Sequence, residues 1–251
     1  MTVRQEVVVN PAGEGFVLGV LGASGGVGAS VLAAACAVRA AAARRDVALI
    51  DGHPWSGGLD VLAGMDLVPG LRWPQLRDIR GDVDPQRLVG ELPASAAGVR
   101  CLSWGADTPA EPSGPQPVLS AVRAAVEITV LDLPRPGVPV TGHQRWWSAC
   151  DELVLVLDAS VAGIGAAAAT AKHLEESTGQ ALAGLVVRSP TPLSDQTLAE
   201  ILDAPVLVRL GEDRSVSVCL ERGAAVGSDS GPVAEAADEV LSRVLPMVRA
   251  A

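Results

Sequence analysis

Lysine is almost missing from this chain. Among 251 residues and 19 basic side chains, Lys172 is the one lysine and the rest are arginine. Acidic residues number 29, so the formal net charge is −10. That balance argues against a general binder of nucleic acid or of anionic membrane, because both need clustered cations. The best basic cluster, Arg39, Arg44 and Arg45, reads as a solvated helix end. Cysteine is scarce too. Cys36, Cys101, Cys150 and Cys219 stand far apart inside apolar runs, which excludes a disulfide framework and a zinc ribbon. Buried, reduced thiols are the expectation, and they fit a cytoplasmic setting. His53, His143 and His173 lack zinc-like spacing. No apolar stretch reaches the roughly 20 residues that span a bilayer, and the N-terminus carries no leader pattern.

What is present is core. Hydrophobic residues make up 49% of the chain, enough for a large buried interior. Largely apolar runs at 16–21, 47–50, 99–104, 128–131, 153–157, 182–187 and 206–210 read as strands. Helical patterns alternate with them at 30–43, 84–92, 119–125, 162–177, 194–202, 215–222 and 233–248. This alternation predicts an α/β fold: a mostly parallel sheet of about seven strands with helices on both faces. Ligands of such sheets bind beyond the carboxyl ends of the strands. No linker divides the chain. Residues 1–15 read as an N-terminal extension and 16–251 as one domain. Residues 106–117 and 133–143, rich in Pro and Gly, read as surface connections.

At the end of the first strand run stands Gly22-Ala23-Ser24-Gly25-Gly26-Val27-Gly28-Ala29-Ser30, followed by an Ala-rich helical run. Strand, glycine turn and helix start form the context of a phosphate-binding loop. Glycines let backbone N–H groups converge on one point, where the helix N-terminus adds partial positive charge. The usual pattern G-x-x-x-x-G-K-[ST] would place Gly at position 23 and Lys at position 29; both are Ala. Ser24 through Ser30 are therefore the candidate phosphate-binding residues, a cradle without its point charge. A charge-assisted hydrogen bond contributes roughly 1.5–3 kcal/mol, so its loss weakens affinity roughly ten- to a hundred-fold. Asp51 and Asp132 each close an apolar strand. With the Ser30 hydroxyl they outline a magnesium site beside the phosphates.

The run Gly25-Gly26-Val27-Gly28, then Leu49-Ile50-Asp51, then Asp132 after a strand resembles the MinD/ParA class of deviant P-loop ATPases, over nearly the whole chain from Phe16. That class reads K-G-G-x-G-K-[ST] in its loop and D-x-D after its second strand. The signature lysine position is Ser24 here, the Walker lysine is Ala29, and the second Asp is His53. The resemblance implies ATP and Mg2+ as cofactors, with weakened binding, and Asp51 and His53 as the nearest candidates for catalysis. These departures imply little or no hydrolysis, a pseudo-ATPase or very slow ATPase. It places Arg188 and Asp213 near the nucleotide base, although N-capping also accounts for Asp213. In detail the chain looks most like the actinobacterial CpaE/TadZ-like, septum-site-determining branch, through residues 56–60, 70–74 and 131–135. Many members of that branch carry an N-terminal receiver-like module; only about 15 residues precede the first strand here, so that module is expected to be absent.

The resemblance further implies a scaffold that positions or helps assemble a Tad-type pilus or secretion system, or a division site. Its partners would be pilus, secretion or division proteins, reached as a homodimer through the glycine-loop face. Recruitment to the pole or to the inner face of the membrane would follow through those partners. Two alternatives stand beside it: a partner-activated ATPase switch and a nucleotide-independent interaction module. Two further features have two readings each. Trp146-Trp147 is either an interface pair or one buried and one half-covered core residue. The last helix carries an apolar stripe (Val233, Ala237, Val240, Leu241, Val244, Leu245) that packs on the sheet or touches a membrane.

Overall fold

The computed structural model describes residues 14–54, 58–105, 115–136, 143–188 and 191–246. Seven strands run in chain order as β1 (Phe16–Gly22), β2 (Val47–Asp51), β3 (Val99–Leu102), β4 (Ile128–Leu133), β5 (Glu152–Asp158), β6 (Gly184–Arg188) and β7 (Val206–Leu210). They form one sheet in the order β3-β2-β4-β1-β5-β6-β7, and every strand pair in it is parallel. The helices between them are α1 (Ala29–Ala42), α2 (Leu59–Leu62), α3 (Trp73–Leu76), α4 (Pro85–Gly90), α5 (Gln116–Ala125), α6 (His143–Trp147), α7 (Val161–Thr178), α8 (Asp195–Leu202), α9 (Ser215–Glu221) and α10 (Pro232–Val244). The predicted α/β architecture is the observed one.

Alternate strand residues feed two cores. Phe16, Leu18 and Val20 of β1 face α1 and α10; Val17 and Leu21 face the layer of α5, α6 and α7. Burial on both faces explains why the strands read as unbroken apolar runs. Gly19 lies on the second face, and a methyl group there would come within 2.6 Å of Cys150 Sγ and of Leu133. Helix α1 is buried along most of its length, with Ala33, Ala34, Ala35 and Ala37 fully covered between the sheet and α10. Small side chains allow that close approach.

Arg39 reaches α10 through a two-pronged bond, its Nε and Nη2 each donating to Asp238 at 2.8 Å, so this arginine is not part of a free basic patch. The stripe of α10 packs inward: Val233, Ala237, Val240, Leu241 and Val244 are buried. All four cysteines are free thiols and buried.

Three differences from the sequence reading have a local cause. Helices α2, α3 and α6 have four or five residues each, too few for a 3.6-residue period to show. The third strand ends at Leu102 rather than Trp104. Trp146 and Trp147 are both buried, against the expectation of an interface or a half-covered ring. They point in different directions from α6, yet both find cover. Trp146 meets Trp73 edge-on at 5.4 Å, while Trp147 Nε1 donates to the Pro134 carbonyl and its ring meets His173. Residues 1–13, Ser56 and Gly57 of the second-strand segment, and most of the two Pro-rich connections (106–114 and 137–142) lie outside the described residues.

Candidate functional site

The glycine loop leaves the carboxyl end of β1, the central strand of the sheet. Ala23 N donates to the Val156 carbonyl and anchors the loop to β5. Gly26 and Gly28 then take positive φ, 77° and 93°, which L side chains rarely adopt. Gly28 is the N-cap of α1 and offers no side-chain cap. An α-helix leaves its first N–H groups without intrahelical partners, and here Ala29, Ser30 and Val31 line a cavity of about 560 Å³ with the glycine loop, His53, Arg135 and Arg188. A second recess of about 440 Å³ continues over Ser24–Val27 to Asp158, Ser160 and Gly163 at the start of α7. A left-handed alanine costs about 1–2 kcal/mol. Gly28→Ala is therefore expected to lower unfolding free energy by about that amount in a urea titration; an unchanged midpoint would mean that the loop relaxes out of this conformation.

Asp51 and Asp132 sit side by side, as register partners on β2 and β4. Both are completely buried. Their environments differ. Asp51 Oδ1 accepts from His53 N at 2.8 Å and Oδ2 from Leu59 N at 3.2 Å, so its carboxylate organises the chain after β2. The Asp51 carbonyl accepts indole N–H groups from Trp73 and Trp104. Neither oxygen of Asp132 has a partner of hydrogen-bond geometry among the described residues. The Ser30 hydroxyl is nonetheless close enough to favour the charged form.

Burial pushes both carboxyls up to about 7; the Asp132 charge adds to the effect on Asp51, and backbone N–H groups oppose it. Ser30 and Asp132 share a smaller cavity of about 240 Å³ under Gly58, Leu59 and Leu62. A hydroxyl and a bare carboxylate beside a phosphate cradle fit Mg2+, which keeps most of its waters and takes few protein oxygens. Among the described residues no group of three or more His, Cys, Asp or Glu could enclose a metal alone.

His53 lines the cavity, but it is tied down. Its Nε2 lies 2.6 Å from the Leu133 carbonyl, which only accepts, so Nε2 carries the proton. Burial holds the imidazole pKa below its usual value; Asp51 and the Leu133 carbonyl oppose this and Arg135 adds to it. His53 is then neutral at pH 7 and supplies no cation. Arg188 ends β6 and its Nη1 donates to the Val27 carbonyl at 3.4 Å, which puts the guanidinium on the glycine loop, lining its cavity. Asp213 is not among the residues lining the loop cavity. It accepts from Ser215 N and Val233 N and ties α9 to α10; burial raises its carboxyl pKa, but the Ser215 hydroxyl together with these two N–H groups outweighs that and holds it low. The sequence reading missed Arg135. The signal was available in Leu131-Asp132-Leu133-Pro134-Arg135, where the arginine follows a strand end by two residues.

A larger cavity of about 790 Å³ lies elsewhere, floored by Val17, Thr129 and Leu131 between α5 and α6. Its Arg123 is held by Asp151 and Glu14. The smaller cavity at the glycine loop has the loop and helix-start backbone, and Ser30 lines both it and the adjoining cavity at Asp132; together they are the candidate site.

No protein-family model matches the chain. It is 35% identical over 235 residues to uncharacterized proteins from two strains of Mycobacterium tuberculosis, a match covering 92% of this chain. The match spans 64% of those relatives' length. Among solved structures, the chain is similar to a ParA family ATPase from Chlorobium tepidum TLS, with TM-score 0.73 and 16% identity over 88% of this chain and 96% of that one. It is also similar to the septum site-determining protein MinD complexed with Mg-ADP from Pyrococcus horikoshii OT3, with TM-score 0.68 and 16% identity over 91% and 95%. The glycine loop after the central strand, the two acids on neighbouring strands and these likenesses agree: the chain has the fold of the MinD/ParA P-loop ATPases.

Proposed function

We propose that this chain is a degenerate MinD/ParA-like nucleotide-binding scaffold with little or no ATP hydrolysis. Residues 16–251 are its working unit, and ATP with Mg2+ is its ligand, bound more weakly than by a lysine-bearing loop. The observation that carries this reading is the loop itself. Its positive-φ glycines and uncapped helix start line an open cavity next to Asp132, while positions 24 and 29 hold Ser and Ala. Backbone amides alone can hold an anion at such a helix start. His53, at the position of the class's second Asp, is poorly suited to orient an attacking water, because burial disfavours its charged form and its Nε2 is bound to the Leu133 carbonyl.

The scaffold role follows the CpaE/TadZ-like resemblance: positioning a Tad-type pilus or secretion system, or a division site, through pilus, secretion or division proteins. A homodimer would form across the glycine-loop face. Val161, 92% exposed at the start of α7, lies between Ser160 and Ala162 of the recess beside the glycine loop and would offer such a dimer an apolar contact. Among the described residues no helix is long and apolar enough to cross a membrane, so membrane or polar recruitment would go through partners.

Titration with a fluorescent ATP analogue and Mg2+, alongside a phosphate-release assay, tests the reading. The expected result is saturable binding with phosphate release at the buffer blank. Vigorous turnover by the pure protein would overturn the scaffold; a melting temperature unmoved by saturating ATP and Mg2+ would overturn the ligand.

A further inference from the structure

Two guanidinium groups stand beside the two positions where the glycine loop lacks a lysine. Arg135, from the segment after β4, lies over Gly25: a methyl group built there would come within 3.2 Å of its Nη1. Gly25 adjoins Ser24. Arg188, from the end of β6, lies over Gly28, where a methyl group would come within 3.3 Å of its Nη1. Gly28 adjoins Ala29. Both arginines line the same cavity as the loop amides.

Their charge is uncommitted. Arg39, Arg72, Arg100 and Arg123 are each held by a carboxylate. Arg135 and Arg188 belong to no ion pair among the described residues. Two cations without an ion pair beside one backbone cradle favour an anionic ligand, even with Asp158, the register partner of Arg188, lining the adjoining recess. A guanidinium is always charged and offers a planar fork that matches phosphate oxygens.

We propose that Arg135 and Arg188 are the phosphate-binding cations of this site, reaching from the segment after β4 and the end of β6 to the loop glycines next to its two lysine-free positions. The ligand class is a polyphosphate tail, as in a nucleoside di- or triphosphate. The inference rests on the nucleotide reading above for the nucleoside part, and on the loop geometry alone for the phosphates. Arg188 is accordingly a phosphate residue rather than a base residue.

The test uses the whole chain with Arg135→Ala, Arg188→Ala, the double variant and the two Arg→Lys variants. Each is titrated with the fluorescent ATP analogue, and with inorganic tripolyphosphate by thermal shift. Each single Ala is expected to weaken ATP binding roughly ten- to a hundred-fold, each Lys to recover part of it, and ligand-free melting to stay within a few degrees because both side chains are partly exposed and Arg188 loses only a long bond to the Val27 carbonyl. ATP binding by the double Ala variant as tight as wild type would overturn the arginine assignment and leave the nucleotide reading standing. Arginine-dependent binding of tripolyphosphate with none of ATP would uphold the assignment and overturn the nucleotide reading. Wild-type protein binding neither would overturn both.

Discussion

At pH 8 and without metal, Asp132→Asn is expected to melt about 5 °C above the wild-type protein, and at pH 5 the two are expected to converge. Asp132 is completely buried and its oxygens lack a partner of good hydrogen-bond geometry among the described residues, although the nearby Ser30 hydroxyl favours the charged form. Its register partner Asp51 is a second buried acid, and both carboxyls are pushed up to about 7. The sign follows from proton counting. Between the unfolded value near 4 and about 7, the folded state holds protons that the unfolded state has released. Stability therefore falls as pH rises through that window, and above about 7 the full cost of ionised buried carboxylates is present.

Asparagine keeps the shape and removes the charge, relieving a cost on the order of a few kcal/mol. At this chain length each kcal/mol moves the melting temperature by about 2–4 °C, and the unpaired amide of asparagine takes back part of the gain. Mg2+ with ATP should reverse the order. Metal favours the ionised acid, so wild-type protein gains a magnesium-dependent rise at pH 8 that the variant lacks. Melting curves from pH 5 to 8, with and without Mg2+ and ATP, check both statements. A wild-type melting temperature flat across that range, with the variant melting lower throughout, would show that Asp132 carries no buried charge.

Trp73→Ala is expected to cost about 3–5 kcal/mol, a fall of roughly 10 °C in melting temperature. Trp73 is fully buried, stacked on Trp104 at 5.7 Å and edge-on to Trp146 at 5.4 Å. Its indole N–H and that of Trp104 both donate to the Asp51 carbonyl, at 2.8 and 3.1 Å. Truncation opens a large cavity and removes one of the two indole bonds to the carbonyl that ends β2. Trp73→Phe keeps most of the ring and leaves Trp104 on the carbonyl, so its cost should be nearer 1 kcal/mol plus the lost volume. Denaturant unfolding of both variants measures the difference. A Trp73→Ala midpoint close to wild type would mean that this aromatic cluster does not support the site.

Trp73 also shows where sequence reading runs out. Strand runs such as 153–157 are legible because a strand buried on both faces must be apolar throughout. The glycine loop is legible because positive φ restricts the choice of residue. Five tryptophans scattered along the chain give no sign that Trp73, Trp104 and Trp146 meet over the end of β2. Adjacent Trp146 and Trp147 look as if one must be exposed, because helical geometry points them apart. Both are buried because a five-residue helix is covered on both sides by other elements.

The candidate site divides in the same way. Asp51 and Asp132 announce themselves as acids closing apolar strands, but 81 residues separate them, and only the β2–β4 register makes them neighbours with coupled charge. Asp213 looks like a ligand until its two oxygens are found on the backbone of Ser215 and Val233.

By itself the amino-acid order determined the layered α/β architecture, the phosphate-type loop and the absence of lysine from it, since each is written in consecutive residues whose local conformation and burial are set by their own chemistry. Only the tertiary structure decided which acid is bare, which histidine is tied down and which arginines reach the loop. Those are distances between segments far apart in the chain, and the order in which parallel strands line up in the sheet sets them.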